Sequence, residues 1–330
     1  MKRRSIVFCL VLMASMILTA CAAPEAAPAE QPAAPAATEV PAEAPAEAPA
    51  EAPAEAPAEA APPAAAPAAT LGNPPGDVPS GEGIPLGDHS TLTSASPARA
   101  FVGDRFTLGR FERPYNANTM DVYFPYLDIA SANLYQDDTW VYARINLVGA
   151  DESEGFPGQY ALEIDTDMDG RGDFLVIAEH PSGNDWTTAG VQIYVDANGD
   201  VGGENIINGD SEGRGNGFEI LAFEQGSGDD PDAAWARVSP GHPNSVEVAF
   251  KASFLEGDST YMVGLWSANG TLDAALFDLN DHFTHEQAGE ANEEFANFYP
   301  IKELAEMDNT CRAGMGFVPS GNEPAICAGQ

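Results

Sequence analysis

The aspartates between residues 165 and 173 have a spacing that could hold a cation. Asp165, Asp167 and Asp169 alternate and are followed by Gly170, which matches positions 1, 3, 5 and 6 of an EF-hand-like calcium loop. Alternate carboxylates can converge on one ion, and the glycine permits the sharp turn that brings them together. This pattern predicts a loop that binds calcium.

The remainder of the loop departs from an EF-hand. Arg171 would supply its backbone carbonyl at position 7 and Asp173 falls at position 9, but Val176 stands where a bidentate glutamate is normal. The flanking segments also have the pattern of strands rather than helices. We therefore expect a metal loop in a β context that takes further oxygen ligands from elsewhere. The alternative is a solvated turn closed by its own Asp side chains.

Residues 196–204 repeat this arrangement less completely. Asp196, Asn198 and Asp200 alternate, and glycines lie in the same stretch. Both loops leave a strand-like run, so we expect them at the same end of the fold, sharing calcium ions, with Glu204 as an outer ligand. A plain Asn-Gly hairpin turn explains this second pattern equally well.

The sequence DLNDHFTH at residues 278–285 is a third polar cluster. His282 and His285 are three residues apart, which would place both on one helix face, where they could bind a transition metal with neighbouring carboxylates. A zinc site normally has more His or Cys ligands at defined spacing. The favoured interpretation is therefore that Asp281 and Thr284 cap a short helix.

The sequence contains no recognisable catalytic motif. It has no GxSxG, no HExxH, no P-loop and no GxGxxG that opens a helix. Acidic pairs are too numerous to single out the two carboxylates of a glycosidase. We therefore expect a protein that is not an enzyme, with an extracellular hydrolase whose site contains a metal as the alternative.

The N-terminus predicts export. Residues 2–4 are basic, and the 13-residue apolar run that follows at 6–18 is too short to span a bilayer but typical of a signal peptide. The next residues, LTAC at 18–21, resemble the lipobox of bacterial lipoproteins. That resemblance implies removal of residues 1–20 and a diacylglyceryl group on Cys21, which would anchor the exported protein to a bacterial membrane. An ordinary secretory signal is the alternative.

The chain after the lipobox is predicted to be a tether. Residues 22–70 are almost entirely Ala, Pro and Glu, with PAEA repeated five times, and such a composition cannot form a core. Frequent proline favours an extended chain over a helix. Because residues 71–100 remain rich in Gly, Pro and Ser, we assign 21–100 to a disordered linker that carries the lipidated cysteine, and 101–330 to one folded domain.

The chain is strongly acidic. It has 51 acidic and 14 basic residues, a net charge of −37, and three of the basic residues lie in the signal peptide. This charge repels nucleic acid and anionic lipid headgroups, so we expect no nucleic-acid partner. It is compatible both with cation binding and with a saline habitat.

Strand patterns dominate the folded region. They predict an all-β fold, an immunoglobulin-like or jelly-roll-like antiparallel β-sandwich with short C-terminal helices at 284–298 and 301–307. The turn Asp137-Asp138 predicts that the first two strands form a hairpin. The predicted strands are 127–136, 139–149, 159–165, 173–180, 190–196, 218–224, 233–239, 245–255 and 260–268.

Three segments resemble exported β-sandwich modules of the family 9 carbohydrate-binding and DOMON-like group. They are the hairpin at 127–149, YALEIDTDMDG at 160–170, and SVEVAFKASFLEG at 245–257, which YMVGLW follows. The C-terminal part resembles uncharacterised exported lipoproteins. The first resemblance implies a glycan ligand held by aromatic side chains, but none of the four tryptophans aligns with a sugar-binding position.

Cysteine usage predicts one disulfide bond. Cys9 leaves with the signal peptide and Cys21 carries lipid, so Cys311 and Cys327 remain in an oxidising compartment, where we expect them to pair. Two free thiols are the alternative.

Together these patterns predict a lipid-anchored, calcium-stabilised binding module at the cell surface. Its expected partners are the membrane, through the lipid, and a glycan or another cell-wall polymer. The alternatives are the extracellular hydrolase and a structural surface protein without a ligand.

Overall fold

The computed structural model describes residues 73–95, 103–202, 215–289 and 300–329. Within these ranges the chain forms fourteen β-strands and two one-turn α-helices, α1 (Leu279–His282) and α2 (His285–Ala288). The strands are β1 (Ile84–Gly87), β2 (Glu112–Arg113), β3 (Ile129–Gln136), β4 (Trp140–Leu147), β5 (Gln159–Asp165), β6 (Phe174–Glu179), β7 (Val191–Val195), β8 (Ile220–Glu224), β9 (Ser227–Gly228), β10 (Ala234–Val238), β11 (Ser245–Lys251), β12 (Tyr261–Ala268), β13 (Met307–Asn309) and β14 (Ala313–Met315).

The strands form two antiparallel sheets. One has five strands in the order β1-β3-β4-β11-β10. The other has nine strands in the order β2-β13-β12-β5-β6-β7-β8-β9, and β14 also pairs with β12. The predicted all-β sandwich is therefore confirmed, and β3 and β4 form the predicted hairpin.

The main hydrophobic core lies between the two sheets. In the five-stranded sheet, Val246, Val248 and Phe250 alternate along β11 and belong to this core, as their period of two predicts. Leu162 and Val263 of the nine-stranded sheet belong to the same cluster. Full burial of each such aliphatic side chain contributes about 1.5–3 kcal/mol, so this cluster holds the two sheets face to face.

Both outer faces of the sandwich are also covered. Loop residues such as Phe106 and Phe277 pack with Ala161 and Trp266 in a second cluster that includes alternate residues of β5 and β12. This explains why every residue of those two strands is buried. Two-sided burial produces a nearly continuous apolar run instead of a clear alternation.

The folded region begins before residue 101, the boundary expected from composition. Strand β1 pairs with β3 from Ile84 opposite Leu134 to Gly87 opposite Ser131. Upstream, the Trp186 indole N–H donates to the Gly76 carbonyl at 2.9 Å. Composition placed the boundary wrongly because hydrogen bonds to residues distant in sequence hold this Gly- and Pro-rich segment.

The prediction of short C-terminal helices is partly correct. Thr284 caps α2 in a capping box with Gln287, and Gly289 follows the helix with φ of 69°. The predicted helix at 301–307 is wrong, because the Glu306 N–H donates to the Tyr115 carbonyl and the chain continues as β13. These long-range bonds take the backbone groups that a helix would have used internally.

Several predictions fall outside the described residues, namely the signal peptide, the lipidated Cys21 and the tether. Within the residues that the structure describes, no helix is long and apolar enough to cross a membrane.

Cys311 and Cys327 form the predicted disulfide bond, with their Cα atoms 5.0 Å apart. The bond lies near the end of β1, since the Cys311 Sγ is 3.7 Å from the Gly87 carbonyl oxygen. It therefore closes the C-terminal loop beside the edge of the five-stranded sheet.

Replacing both cysteines by serine should destabilise the domain. Because the bond closes a short loop, the chain-entropy model expects a loss of about 3 kcal/mol, or roughly 6–12 °C in melting temperature for a domain of this size. A reductant should lower the melting temperature of the wild type by a similar amount and leave the double variant unchanged. Equal melting temperatures for wild type and variant would contradict this expectation.

Candidate functional site

The first acidic loop connects β5 to β6 and is ordered by its first aspartate. Asp165, the last residue of β5, is fully buried. Its Oδ1 accepts a hydrogen bond from the Met168 N–H at 2.6 Å, and its Oδ2 accepts one from the Gly170 N–H at 2.9 Å. The loop thus folds around this carboxylate, and Gly170 adopts a φ of 100°, which favours glycine.

Three of the predicted ligands come together in this loop. Carboxylate oxygens of Asp165, Asp167 and Asp173 lie within 4.8 Å of one another. Two oxygens bound to one calcium ion are at most about 5 Å apart, because each Ca–O bond is 2.3–2.6 Å. The three groups are therefore close enough to share an ion, although hydrogen bonds to the loop backbone also engage each of them.

The remaining predicted carboxylate of this loop, Asp169, points elsewhere. Asp169 lies outside the set of three, and its Oδ1 accepts from the Arg171 N–H at 2.9 Å. The Arg171 guanidinium donates to the Val201 carbonyl at 3.1 Å. This contact links the first loop to the second.

The second acidic loop has a similar local arrangement. Asp196 follows β7, and its carboxylate accepts hydrogen bonds from the N–H groups of Asn198, Gly199 and Val201. Oxygens of Asp196 and Asp200 come within 4.8 Å of each other and of the Glu219 carboxylate. Asn198 is exposed, and its side-chain amide lies 3.2 Å from that of Asn216.

Glu219 was not predicted from the sequence. It precedes β8, and the pairing of Val195 with Ile220 brings it beside Asp196. Its Oε2 accepts from the Ala197 N–H at 2.9 Å. The predicted outer ligand, Glu204, lies outside the described residues, so only the partner strand reveals this third carboxylate.

The two loops lie at the same end of the sandwich, as predicted. The Asp196 N–H donates to the Asp173 carbonyl at 3.0 Å, and the Arg171 side chain reaches the Val201 carbonyl. Adjacent pairing of β6 and β7 causes this, because the loop that enters β6 and the loop that leaves β7 share one edge of the sheet.

A polar cleft of about 220 Å³ adjoins the first loop. Asp169 and Arg171 form part of its wall, and Asn280 and Asp281 of α1 form another part. Its other lining residues include Glu163, Trp266, Asp278, Asn309 and Arg312. The cleft therefore offers both hydrogen-bond donors and acceptors beside the loop.

A buried ion pair forms the inner wall of this cleft. The Arg312 guanidinium is 2.7 Å from Glu163 Oε1 and 3.6 Å from Asp165 Oδ2. The Trp266 indole N–H donates to the other oxygen of Glu163 at 2.9 Å. Burial opposes the charge of Arg312, but the carboxylates around it raise the pKa of Arg312 above its usual value. This pair thus joins β5, β12 and the chain beside the disulfide.

Two carboxyl groups near the cleft hold protons more tightly than usual. Burial raises the pKa of Asp278 to about 7, and the nearby Glu163 charge adds to the shift. Burial also raises the pKa of Asp165 to about 7, against the opposing influence of Arg312. Both groups therefore change charge near neutral pH.

The cluster at 278–285 behaves mainly as a structural element. Thr284 caps α2 as predicted, but Asp281 lies inside α1, and Asp278 occupies the N-cap position. His285 Nε2 is 3.1 Å from Thr107 Oγ1. Burial lowers the pKa of His282, which favours its neutral form. Asp281 does not cap because it is the third residue of α1, where its side chain faces the cleft.

None of the four tryptophans presents an open ring to solvent. Trp140, Trp235 and Trp266 are 6%, 2% and 3% exposed. Trp186 is partly buried, and the Arg237 guanidinium lies over its ring, 4.2 Å from the centroid. A ligand in the cleft would therefore meet mainly polar side chains.

No family model, no curated protein and no solved structure matches this chain. Its function has to follow from its own residues.

The raised pKa of Asp278 predicts a pH dependence of stability. Between its unfolded value of about 4 and its folded value of about 7 the folded state binds more protons, so the free energy of unfolding falls as pH rises, by up to about 1.4 kcal/mol per pH unit. Asp278→Asn should flatten this slope in urea unfolding between pH 5 and 7 in EDTA.

The exposed Asp258 supplies a matched control. Asp258→Asn removes one exposed carboxylate and should keep the wild-type slope. If Asp278→Asn and Asp258→Asn have the same slope, the proposed titration of Asp278 is wrong.

Proposed function

We propose that this protein is a lipid-anchored, calcium-stabilised binding module, displayed outside a bacterial membrane, that recognises a hydroxyl-rich polymer such as a glycan. The observation that carries the proposal is the placement of two acidic loops side by side at one end of a β-sandwich, next to a polar cleft. Export and the lipid anchor rest on the N-terminal sequence.

The chemistry of the cleft supports a ligand rich in hydroxyl groups. A hydroxyl group both donates and accepts, so it can bond to the Arg171 guanidinium and to the Asp281 carboxylate at the same time. The volume of about 220 Å³ is below the 300–1,000 Å³ of pockets that enclose drug-sized ligands. This size suits one unit of a polymer whose remainder stays outside.

Calcium has a structural role in this proposal. It would neutralise the carboxylates of Asp165, Asp167 and Asp173 and so hold the β5–β6 loop in one conformation. That loop supplies Asp169 and Arg171 to the cleft wall. Calcium would therefore order the ligand-binding edge without contacting the ligand.

A hydrolase is the second candidate, and one observation favours it. Asp278 lines the cleft with a pKa of about 7, which is the range expected of a general acid at neutral pH. Asp281 lies in the same wall and could act as the second carboxylate. If the wild type releases reducing ends from a bound glycan and Asp278→Asn does not, the hydrolase replaces the binding module as the proposed function.

We expect the full-length protein to bind to a glycan array in 1 mM Ca²⁺ and to lose that binding in EDTA. Arg171→Ala should weaken binding roughly tenfold or more, because a hydrogen bond from a charged group contributes about 1.5–3 kcal/mol.

Lys302→Ala, which removes the same unit of positive charge at a residue that does not line the cleft, is the control and should bind as the wild type does. A blank array would favour a structural surface protein without a ligand. Binding that survives both EDTA and Arg171→Ala would show that neither the acidic loops nor this cleft forms the binding site.

Lipid anchoring predicts that Cys21→Ala moves the protein from the membrane fraction to the soluble fraction. Without the thiol no diacylglyceryl group can be attached, and no other strong anchor is expected from the sequence. Fractionation followed by immunoblotting measures this. Cys311→Ser, which replaces a cysteine of the disulfide bond and leaves Cys21 unchanged, is the control and should remain with the membrane. Retention of Cys21→Ala there would overturn the anchor.

A further inference from the structure

A third set of carboxylates meets inside the molecule, away from the two acidic loops. Asp88 directly follows β1, Glu112 lies in β2, and Asp308 lies in β13, where it pairs with Glu112. One carboxylate oxygen from each residue lies within 4.8 Å of the other two. Three segments that are distant in sequence thus bring their negative charges together.

These carboxylates are fully or partly buried, and each has one oxygen without a hydrogen-bond donor. Glu112 is 2% exposed and Asp308 is fully buried, while Asp88 is partly buried. Glu112 Oε1, Asp308 Oδ1 and Asp88 Oδ2 are shielded from solvent without a hydrogen-bond partner among the described residues. Native proteins rarely leave a buried charged oxygen without a partner, because its lost hydration is then uncompensated.

Only one oxygen of each aspartate is engaged. Asp308 Oδ2 accepts from the Ile129 N–H at 2.7 Å, and Asp88 Oδ1 accepts from the His89 N–H at 2.8 Å. These bonds orient both carboxylates and leave the second oxygen of each without a hydrogen-bond partner among the described residues.

A fourth carboxylate stands next to the three. Asp128 Oδ2 accepts from the Tyr123 hydroxyl at 2.7 Å and from the Thr91 N–H at 3.0 Å. Its Oδ1 is buried and, like the other three oxygens, has no hydrogen-bond partner in the described part of the chain. Asp128 therefore adds negative charge to the same region.

The nearest buried arginine is already engaged. Arg113 Nε lies 2.6 Å from Asp104 Oδ1, with both side chains fully buried. Its remaining N–H groups donate to Asp104 and to the carbonyls of Ala288, Gly289 and Leu304. It thus neutralises Asp104 and not the three carboxylates.

The surroundings disfavour the charged form of these carboxyl groups. Burial, followed by the mutual repulsion of the acids, raises the pKa of Glu112 to about 11 and that of Asp308 well above its usual value. Burial also raises the pKa of Asp88, with Arg110 only partly opposing it. Either protons or a cation must compensate the negative charge.

We propose that Asp88, Glu112 and Asp308 bind a hard divalent cation, with Ca²⁺ as the favoured ion, at a site separate from both acidic loops. An all-oxygen carboxylate set selects hard ions over the softer transition metals. The 4.8 Å limit on oxygen separations is compatible with three Ca–O bonds to one ion. Asp128 lies outside the set of three and adds negative charge beside it.

The site has a route to solvent. Asp88 and Glu112 line a cleft of about 500 Å³ whose wall also contains Arg110 and both disulfide cysteines. An ion can therefore enter after folding and be removed by a chelator. Once bound, it would tie the end of β1 to β2 and β13, which belong to the other sheet.

The test compares two double variants of the full-length chain. Glu112→Gln with Asp308→Asn removes charge from the proposed site while keeping side-chain size. Asp167→Asn with Asp200→Asn does the same in the acidic loops. After EDTA treatment and removal of the chelator, calorimetric titration with CaCl₂ gives the number of ions bound, and thermal melting gives their effect on stability; MgCl₂ is titrated in parallel.

We expect Glu112→Gln/Asp308→Asn to bind one Ca²⁺ fewer than the wild type, and the loop variant to retain that ion. Ca²⁺ at a hundredfold excess over its dissociation constant should raise the melting temperature of the loop variant by roughly 5–10 °C. In EDTA, where no Ca²⁺ is bound, Glu112→Gln/Asp308→Asn should melt at or above the wild-type temperature, because it lacks the uncompensated charges.

Two results would contradict the proposed site or the choice of ion. If Glu112→Gln/Asp308→Asn binds as many Ca²⁺ ions as the wild type, the site is wrong and protons compensate the three acids. A preference for Mg²⁺ would overturn the choice of ion. If the variant does not fold, crystals of the wild type grown with Mn²⁺ provide the test. The proposed site requires anomalous density between Glu112 and Asp308. Glycan binding tests the cleft independently of these results.

Discussion

The structure depends on compensating buried carboxylates with very few basic side chains. The chain has 51 acidic and 14 basic residues. Arg113 is committed to Asp104 and Arg312 to Glu163, each at 2.7 Å or less, and Arg237 with Arg144 holds Glu247 in the other sheet. Loss of one partner from a buried pair typically costs 3–5 kcal/mol, because the other charge is left uncompensated. The arginines therefore determine which acids can be buried as anions.

The candidate cation sites lie where several acids meet and arginines are too few to neutralise them. The two loops at the end of the sandwich and the three carboxylates near β1 each combine several acids with few bases; in the first loop, Arg312 lies 3.6 Å from Asp165 Oδ2. A cation from the medium can provide the missing charge and fix the backbone that carries the acids. Under the proposed function, the ions around the protein would influence its rigidity and, through the β5–β6 loop, the shape of its cleft.

The fold was predictable where strands are long enough to show a period. The predicted strand at 159–165 coincides with β5, and 173–180 and 190–196 differ from β6 and β7 by one residue at each end. The short strands β1, β2, β13 and β14 were missed because two to four residues carry no periodic signal and depend on their partner strands. The helix expected at 301–307 failed for the same reason, since distant partners take its backbone hydrogen bonds.

The sequence by itself determined what local spacing can specify: Asp165, Asp167, Asp169 and Asp173 as candidate ligands, the loop at 196–200, and the cysteine pair. Only the tertiary structure decided which acids lose water and which find a partner. Glu219 joins Asp196 through strand pairing, and Glu112 meets Asp308 across 196 residues of chain. Burial and oxygen–oxygen distance control both the pKa of a carboxylate and its ability to bind a cation, and neither quantity exists until the sheets have assembled.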